Sequence, residues 1–348
     1  MLQGMKIEDL IFDLCRLKGV SGSESPVAGF IQKELSKYSE ASIDQKGNVI
    51  GIINRAQCNK TILLEAHIDQ VGLIVTNVLE EGFLKAHNCG GIDARVLPGS
   101  AVTVHGKEDI YAVIASVPPH LADNESKSSV TIDKMLIDTG LPYDTLKELV
   151  CPGDRITLAQ EPEKLLNNRI TSAALDNRAG VAALLKCAQI LHKTDLDSNV
   201  AFLFSTQEET GGHGAQTGSF QINASESIVV DVSFAAQKST ICYPTPGNLG
   251  GGAMICFSSV LDKMLSKDLC GTAREYSIPY QIEVTPESTG TSADKISVSK
   301  CGTKTALISI PLRYMHTGSE VIDLTDVDSV VRLICAYTAK REVPICLI

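Results

Sequence analysis

The sequence holds no tryptophan and no apolar run long enough to span a bilayer; the second absence argues against a membrane-spanning helix. Basic residues are in deficit. The 31 Lys and Arg face 41 Asp and Glu, for a formal net charge of -10. Nucleic acid and anionic membrane both call for a basic face, so neither is expected as a partner. The 11 cysteines include no Cys-x-x-Cys pair, which argues against cysteine-ligated zinc. Their count is odd and their spacing scattered. Cys187 and Cys335 sit in apolar runs, where a thiol acts as a small hydrophobe. That usage fits a reducing cytoplasm better than a disulfide framework. The run Met5-Lys6-Ile7-Glu8-Asp9-Leu10-Ile11-Phe12-Asp13-Leu14 mixes acids with apolar residues and lacks a small-residue cleavage site. It reads as an amphipathic helix, not a signal peptide. No internal repeat and no low-complexity segment is found.

What is present is ordinary for a globular protein: 348 residues, 44% hydrophobic and 21% charged. The length supports a large core and two domains. Helices are expected over residues 27–35, 181–192 and 326–339. Strands are expected over residues 48–53, 61–66, 200–204, 227–230 and 305–310. From residue 71 to about 158 the texture changes to short β-rich runs separated by Gly and Pro turns, the pattern of a small barrel or sandwich. The fold class expected is therefore α/β: a mixed-sheet domain from residues 1–69 and 164–348, interrupted by a β-rich domain at residues 70–163.

The chain is organised around Ser205-Thr206-Gln207-Glu208-Glu209-Thr210-Gly211-Gly212-His213-Gly214-Ala215. Two adjacent glutamates appear where a buried strand ends, the place where sites form in open α/β sheets. Neighbouring residues near a strand end point in different directions. One glutamate can therefore bind a metal while the other moves a proton. Alone, the pair would be read as a solvated turn.

Four further residues change that reading. His67, Asp231 and His316 stand at strand ends, as Glu209 does, and Asp176 stands where a helix begins. Each has a bland alternative: a core histidine, a strand end, a loop residue, a helix cap. Together they form a nitrogen and carboxylate set suited to Zn²⁺, with Co²⁺ or Mn²⁺ possible. Five ligands are too many for one tetrahedral zinc with an open position. They fit two metals sharing a bridging carboxylate. Asp69 is placed to accept the other N–H of His67.

At this point the sequence resembles the tetrahedral aminopeptidases, a family of dinuclear metallo-peptidases that includes glutamyl and deblocking aminopeptidases and proteins called endoglucanases. The runs that carry the resemblance are Ala66-His67-Ile68-Asp69-Gln70-Val71-Gly72, Leu175-Asp176-Asn177-Arg178-Ala179-Gly180, Gln207-Glu208-Glu209, Val230-Asp231-Val232 and Arg313-Tyr314-Met315-His316, with Pro118-Pro119-His120-Leu121 and Pro152-Gly153-Asp154 in the β-rich block. The resemblance implies that His67 and Asp231 bind one metal, Glu209 and His316 the other, and Asp176 both. Asp69 would support His67, and Glu208 would be the general base. It further implies that residues 1–69 and 164–348 are the catalytic domain, acting on peptide substrates, that residues 70–163 are a β-barrel dimerisation domain, and that the chain forms a homo-oligomer built from dimers into a tetrahedral dodecamer. Binding of the substrate's free α-amine at one metal would confine cleavage to N-terminal residues.

The sequence departs from the family at three places. Gln70 stands where an acid is usual, His213 where an Arg is common, and Gly290-Thr291-Ser292-Ala293-Asp294 matches a Gly-Thr-Asp-Ala run only approximately. His87, His105 and His192 read as structural. Gly250-Gly251-Gly252 lacks the Gly-Lys-Ser/Thr of a phosphate loop and is expected to let backbone approach the site closely. His120 suits either a neighbouring subunit's site or a structural turn. Two rival functions remain: a glycosidase using Glu208 and Glu209 as its carboxylate pair, and a non-catalytic metal- or peptide-binding protein.

Overall fold

The structure, a computed structural model, describes residues 6–54, 59–117, 131–237 and 246–340. His120 and its Pro-Pro context lie outside the described residues. The main sheet has eight strands. Across it run Glu40–Ile43, Val49–Ile53, Asn199–Ser205, Thr61–His67, Glu226–Phe234, Lys304–Leu312, Ala253–Ser258 and Tyr280–Thr285. The middle four are parallel, and antiparallel strands flank them on both sides. Thr61–His67 is buried at every residue after its first, as a parallel strand covered on both faces must be.

Five helices cover one face: Ile7–Cys15, Ser25–Leu35, Leu175–Leu191, Lys263–Glu275 and Leu324–Ala339. His213–Gln221 and Ser292–Ser297 lie on the other. Ile7–Cys15 buries Ile7, Leu10, Ile11 and Leu14, the three-and-four spacing of an amphipathic helix. Leu175–Leu191 is buried on nearly all sides, because it packs on the sheet, on Ile7–Cys15 and on Leu324–Ala339.

The β-rich block closes into a six-stranded antiparallel barrel. Around it run Gly72–Val78, Phe83–Cys89, Ile137–Asp138, Asp109–Ile114, Ala101–His105 and Arg155–Leu158. The barrel has its own apolar core, with Leu84, Leu97, Val104, Ile114 and Leu146 fully buried. The fold is thus a mixed α/β sheet with a small β-barrel. A three-stranded sheet of Glu163–Lys164, Arg169–Ser172 and Glu320–Asp323 lies beside them. Among the described residues, no helix is long and apolar enough to cross a membrane.

One strand runs past its expected end. Asp231 is not terminal: Glu226–Phe234 continues for three more residues, because Val232, Ser233 and Phe234 keep their parallel register with Ile310, Pro311 and Leu312. The glycine loop is also placed differently from expectation. Gly250 N–H and Gly252 N–H donate to the Asp326 carboxylate at 2.8 and 2.7 Å. The loop serves the start of the Leu324–Ala339 helix, and a Cβ at Gly252 would strike the Pro279 carbonyl at 2.2 Å.

Candidate active site

Parallel register brings His67 and Asp231 together. Ser205 pairs with His67, and Val229 pairs with Glu65, so Asp231 on its strand runs level with His67. His67 Nε2 lies 3.1 Å from Asp176 Oδ1 and 3.5 Å from Asp231 Oδ1. Asp176 enters at the start of Leu175–Leu191, where its backbone is non-helical (φ -77, ψ 104) and the Asp176–Asn177 peptide is cis. Its second oxygen, Oδ2, lies 3.4 Å from His316 Nε2, which is also 3.4 Å from Glu209 Oε1. His316 adopts the left-handed conformation, φ 62.

The glutamates are delivered by a turn. Gly211 and Gly212 follow at φ 130 and 70, conformations that glycine accepts at no steric cost, and the Gly211 and Gly212 N–H groups close back on the Glu208 and Gln207 carbonyls. The Glu208 and Glu209 carboxylates do not diverge fully. Both have an oxygen within 4.8 Å of a His67 nitrogen, while Glu209 alone meets His316.

Asp69 does more than the sequence suggested. Its Oδ1 accepts the Glu208 N–H at 2.9 Å, and its Oδ2 accepts the Glu209 N–H at 3.2 Å and the Ser21 hydroxyl at 2.5 Å. The nearest oxygen to His67 Nδ1 is the Asp69 backbone carbonyl at 3.2 Å, with the carboxylate at 3.5 Å. Asp69 therefore holds the glutamate turn first and the imidazole second. Glu24 assists, accepting the Gly22 and Gln207 N–H groups at 2.7 and 3.2 Å. Nothing in the sequence marks Glu24 or Ser21 beyond their place in a helix-start turn.

Burial and crowding set the electrostatics. Burial pushes the Glu208 carboxyl up to about 9, and Asp231, Glu209 and Asp176 push the same way while His67 opposes. Burial by itself would lower His67. Asp231, Asp176 and Asp69 outweigh it and hold the imidazole well above the usual histidine range. His316 is lifted to about 11 in the same manner, by Asp176 and Glu209 against burial. Asp176 is held below the usual carboxylate range, since His316 and His67 outweigh its burial. Glu208 and the two imidazoles thus hold protons tightly while Asp176 is kept ionised, because crowded carboxylates favour positive charge among them.

Two groups of three meet the geometry of a cation site: His67, Asp176 and Asp231, and Asp176, Glu209 and His316. Asp176 belongs to both. A third combination adds Glu208 to His67 and Glu209. Beside His316, a cavity of about 470 Å³ is lined by Val96, Phe234, Leu312 and Met315, with Arg95 and Arg313 among its polar residues.

A family model described as M42 glutamyl aminopeptidase matches residues 47–333. The chain belongs to this family. Its activity class is aminopeptidase, a hydrolase of peptides. A lysyl aminopeptidase of Pyrococcus furiosus is 30% identical over 335 residues, covering 93% of this chain and 94% of the relative. Among solved structures, an aminopeptidase of Desulfurococcus kamchatkensis superposes with a TM-score of 0.89 at 29% identity, over 97% of this chain and 95% of the other. A TET1 peptidase of Pyrococcus horikoshii, described as assembling into a tetrahedron or a large octahedral shell, superposes at 0.85 with 29% identity, over 95% and 99%.

The remaining candidates of the M42 chain fall outside the cluster. His105 bonds Asp109 Oδ1 and Thr157 Oγ1 in the barrel, His87 is exposed, and His192 packs against Tyr38. His213 is exposed at the start of His213–Gln221. Gln70 accepts from the fully buried Arg178 at 3.3 Å, and Ser292 is buried under the sheet.

Proposed function

We propose that this protein is a dinuclear metal-dependent aminopeptidase. The observation that carries the reading is the sharing of Asp176 between two three-residue groups. The donor set fits: two imidazoles and three carboxylates, all oxygen or nitrogen, suit zinc, cobalt or manganese. In this reading His67 and Asp231 would hold one ion and Glu209 and His316 the second, with Asp176 shared between the two groups. When bound, the pair supplies Lewis acidity toward a water and toward the scissile carbonyl.

The chain's own residues do the rest. Glu208 takes the proton of the attacking water and passes it to the leaving amine; bound cations would offset the burial and the neighbouring carboxylates that raise it and keep it ionised for that step. Asp69 holds Glu208 and Glu209 by their amides, so that the base and the ligand keep one spacing. The cavity beside His316 receives the substrate's side chain, and its apolar wall favours a large apolar residue there. Neither rival gains support from the geometry. The two carboxylates converge on one imidazole within 4.8 Å instead of flanking a glycosidic bond from two sides, and a binding protein would have no use for Glu208.

We assign residues 1–69 and 164–348 to the catalytic unit and 70–163 to a dimerisation unit, within a tetrahedral homo-oligomer of the kind the Pyrococcus horikoshii relative forms. A cytoplasmic setting agrees with the eight described cysteines, all free. The test is to reconstitute the full chain with zinc or cobalt, measure bound metal, and assay aminoacyl p-nitroanilides beside oligosaccharides. We expect about two ions per chain, as in two-metal sites, with hydrolysis of the anilides only and a preference for leucine- and phenylalanine-type residues. Full activity at one ion per chain would refute the dinuclear model, and turnover of oligosaccharides alone would refute the peptidase. Light scattering that finds an active monomer would remove the assembly.

A further inference from the structure

Glu320 opens the strand Glu320–Asp323 and is 1% exposed. Its two carboxylate oxygens go to two different parts of the site. Oε2 accepts the Asp176 N–H at 3.1 Å, and Oε1 accepts the His316 N–H at 2.8 Å. Both amides need an outside acceptor. Asp176 has non-helical backbone inside the first turn of its helix, and His316 is a non-glycine residue in the left-handed region. Neither sits in a ladder that would satisfy its N–H, and an unpaired buried amide is costly. Glu320 is itself fixed. It pairs with Ser172 in the three-stranded sheet, and the next residue, Val321, exchanges two backbone hydrogen bonds with Arg313 at 3.0 and 3.1 Å. That exchange closes the 314–319 loop on which His316 rides.

We propose that Glu320 is a positioning residue that sets the spacing between Asp176 and His316 and so the affinity of one of the two metals. The proposal rests on the dinuclear reading above. It makes an asymmetric demand. Glu320 touches two of the three residues in the Asp176, Glu209 and His316 group, but only one of the three in the His67, Asp176 and Asp231 group. A carboxylate accepts both amides. A carboxamide of the same shape offers one acceptor oxygen and turns an NH₂ toward the other amide.

The experiment compares cobalt-reconstituted wild type, Glu320→Gln and Glu320→Ala, all full length. Bound cobalt and visible absorption are followed during chelator titration, and kcat and KM are measured with and without excess cobalt. Glu320→Gln should bind one cobalt about 10–100-fold more weakly, the usual cost of losing an outer partner of a ligand, and hold the other as wild type does. Excess cobalt should restore kcat with little change in KM. Glu320→Ala should show the same asymmetry, larger. Wild-type affinity for both ions, equal weakening of both, or a loss of turnover that cobalt does not restore would overturn the proposal. Loss of the folded circular-dichroism spectrum in both variants would also overturn it, in favour of a purely structural role. A wild type that binds one ion or none fails earlier, at the dinuclear reading itself.

Discussion

Gly91, after a barrel strand, and His316, after a strand of the main sheet, connect the two units. The Gly91 carbonyl accepts a hydrogen bond from His316 Nδ1 at 2.9 Å. A carbonyl can only accept, so Nδ1 carries the proton in the neutral ring, and Nε2 presents its lone pair toward Asp176 and Glu209. Gly91 belongs to the segment just after the barrel strand Phe83–Cys89. The barrel therefore sets the tautomer and orientation of a residue in the site.

Substitution at this point should be felt at the metal. A Cβ on Gly91 would lie 3.1 Å from His316 Nδ1 and 3.3 Å from Cε1, so the ring must shift by a few tenths of an ångström. Gly91→Ala is expected to weaken retention of one metal by about tenfold, near the low end for outer-shell changes. Chelator titration of the reconstituted variant checks this, and an unchanged midpoint would show that the contact is idle.

Glu208 and Glu209 should separate by what each loses. Glu208→Gln keeps size but cannot accept a proton, and removing a general base costs about 10²–10⁴-fold in rate. Its metal content should stay at the wild-type level. Glu209→Gln should lose metal and regain activity on metal addition. Turnover and bound metal, measured on both variants together, decide it. Metal loss in Glu208→Gln with retention in Glu209→Gln would exchange the two roles.

Asp69→Asn leaves one of the two glutamate amides facing an NH₂ group. A hydrogen bond to a charged acceptor contributes about 1.5–3 kcal/mol, so the turn should loosen. We expect kcat to fall about 10–100-fold with most of the metal retained. A fall in metal content before any fall in kcat would mean that the link to His67 dominates.

Stability should depend on pH through Asp326. Burial pushes its carboxyl up to about 7, against the pull of the Gly250 and Gly252 amides, whereas an unfolded aspartate titrates near 3.9. Between about 4 and 7 the folded chain holds a proton that the unfolded chain has lost. This contribution is fully present below about 4 and lost as pH rises to about 7, levelling above it. Its size is at most about 4 kcal/mol by the unit shift involved. Asp326→Asn removes the titration, so denaturation of the metal-free protein should show a smaller stability loss over that window than wild type. Parallel losses in the two proteins would exclude Asp326 as the cause.

The periodic signals in the sequence were enough for five strands of the main sheet and four of the helices on one face, but not for Glu40–Ile43, Ala253–Ser258, Tyr280–Thr285, His213–Gln221 or Lys263–Glu275. Alternation and apolar runs place Thr61–His67 and Asn199–Ser205 to within a residue at each end, and Leu175–Leu191 from Val181 onward, because burial of a strand or helix face is written in local spacing. His67, Asp176, Glu208, Glu209, Asp231 and His316 were each readable as chemistry-bearing residues near element ends. The change in texture after Asp69 marked the barrel. What the sequence could not contain is register and approach. That Asp231 lies inside its strand follows from pairing with Lys304–Leu312, a partner more than seventy residues away. That Asp69 grips two amides, that Glu320 spans Asp176 and His316, and that Gly91 orients His316 are matters of where distant backbone groups meet. A buried polar group must find its partner wherever the packed chain brings one, and only the tertiary structure decides which partner that is.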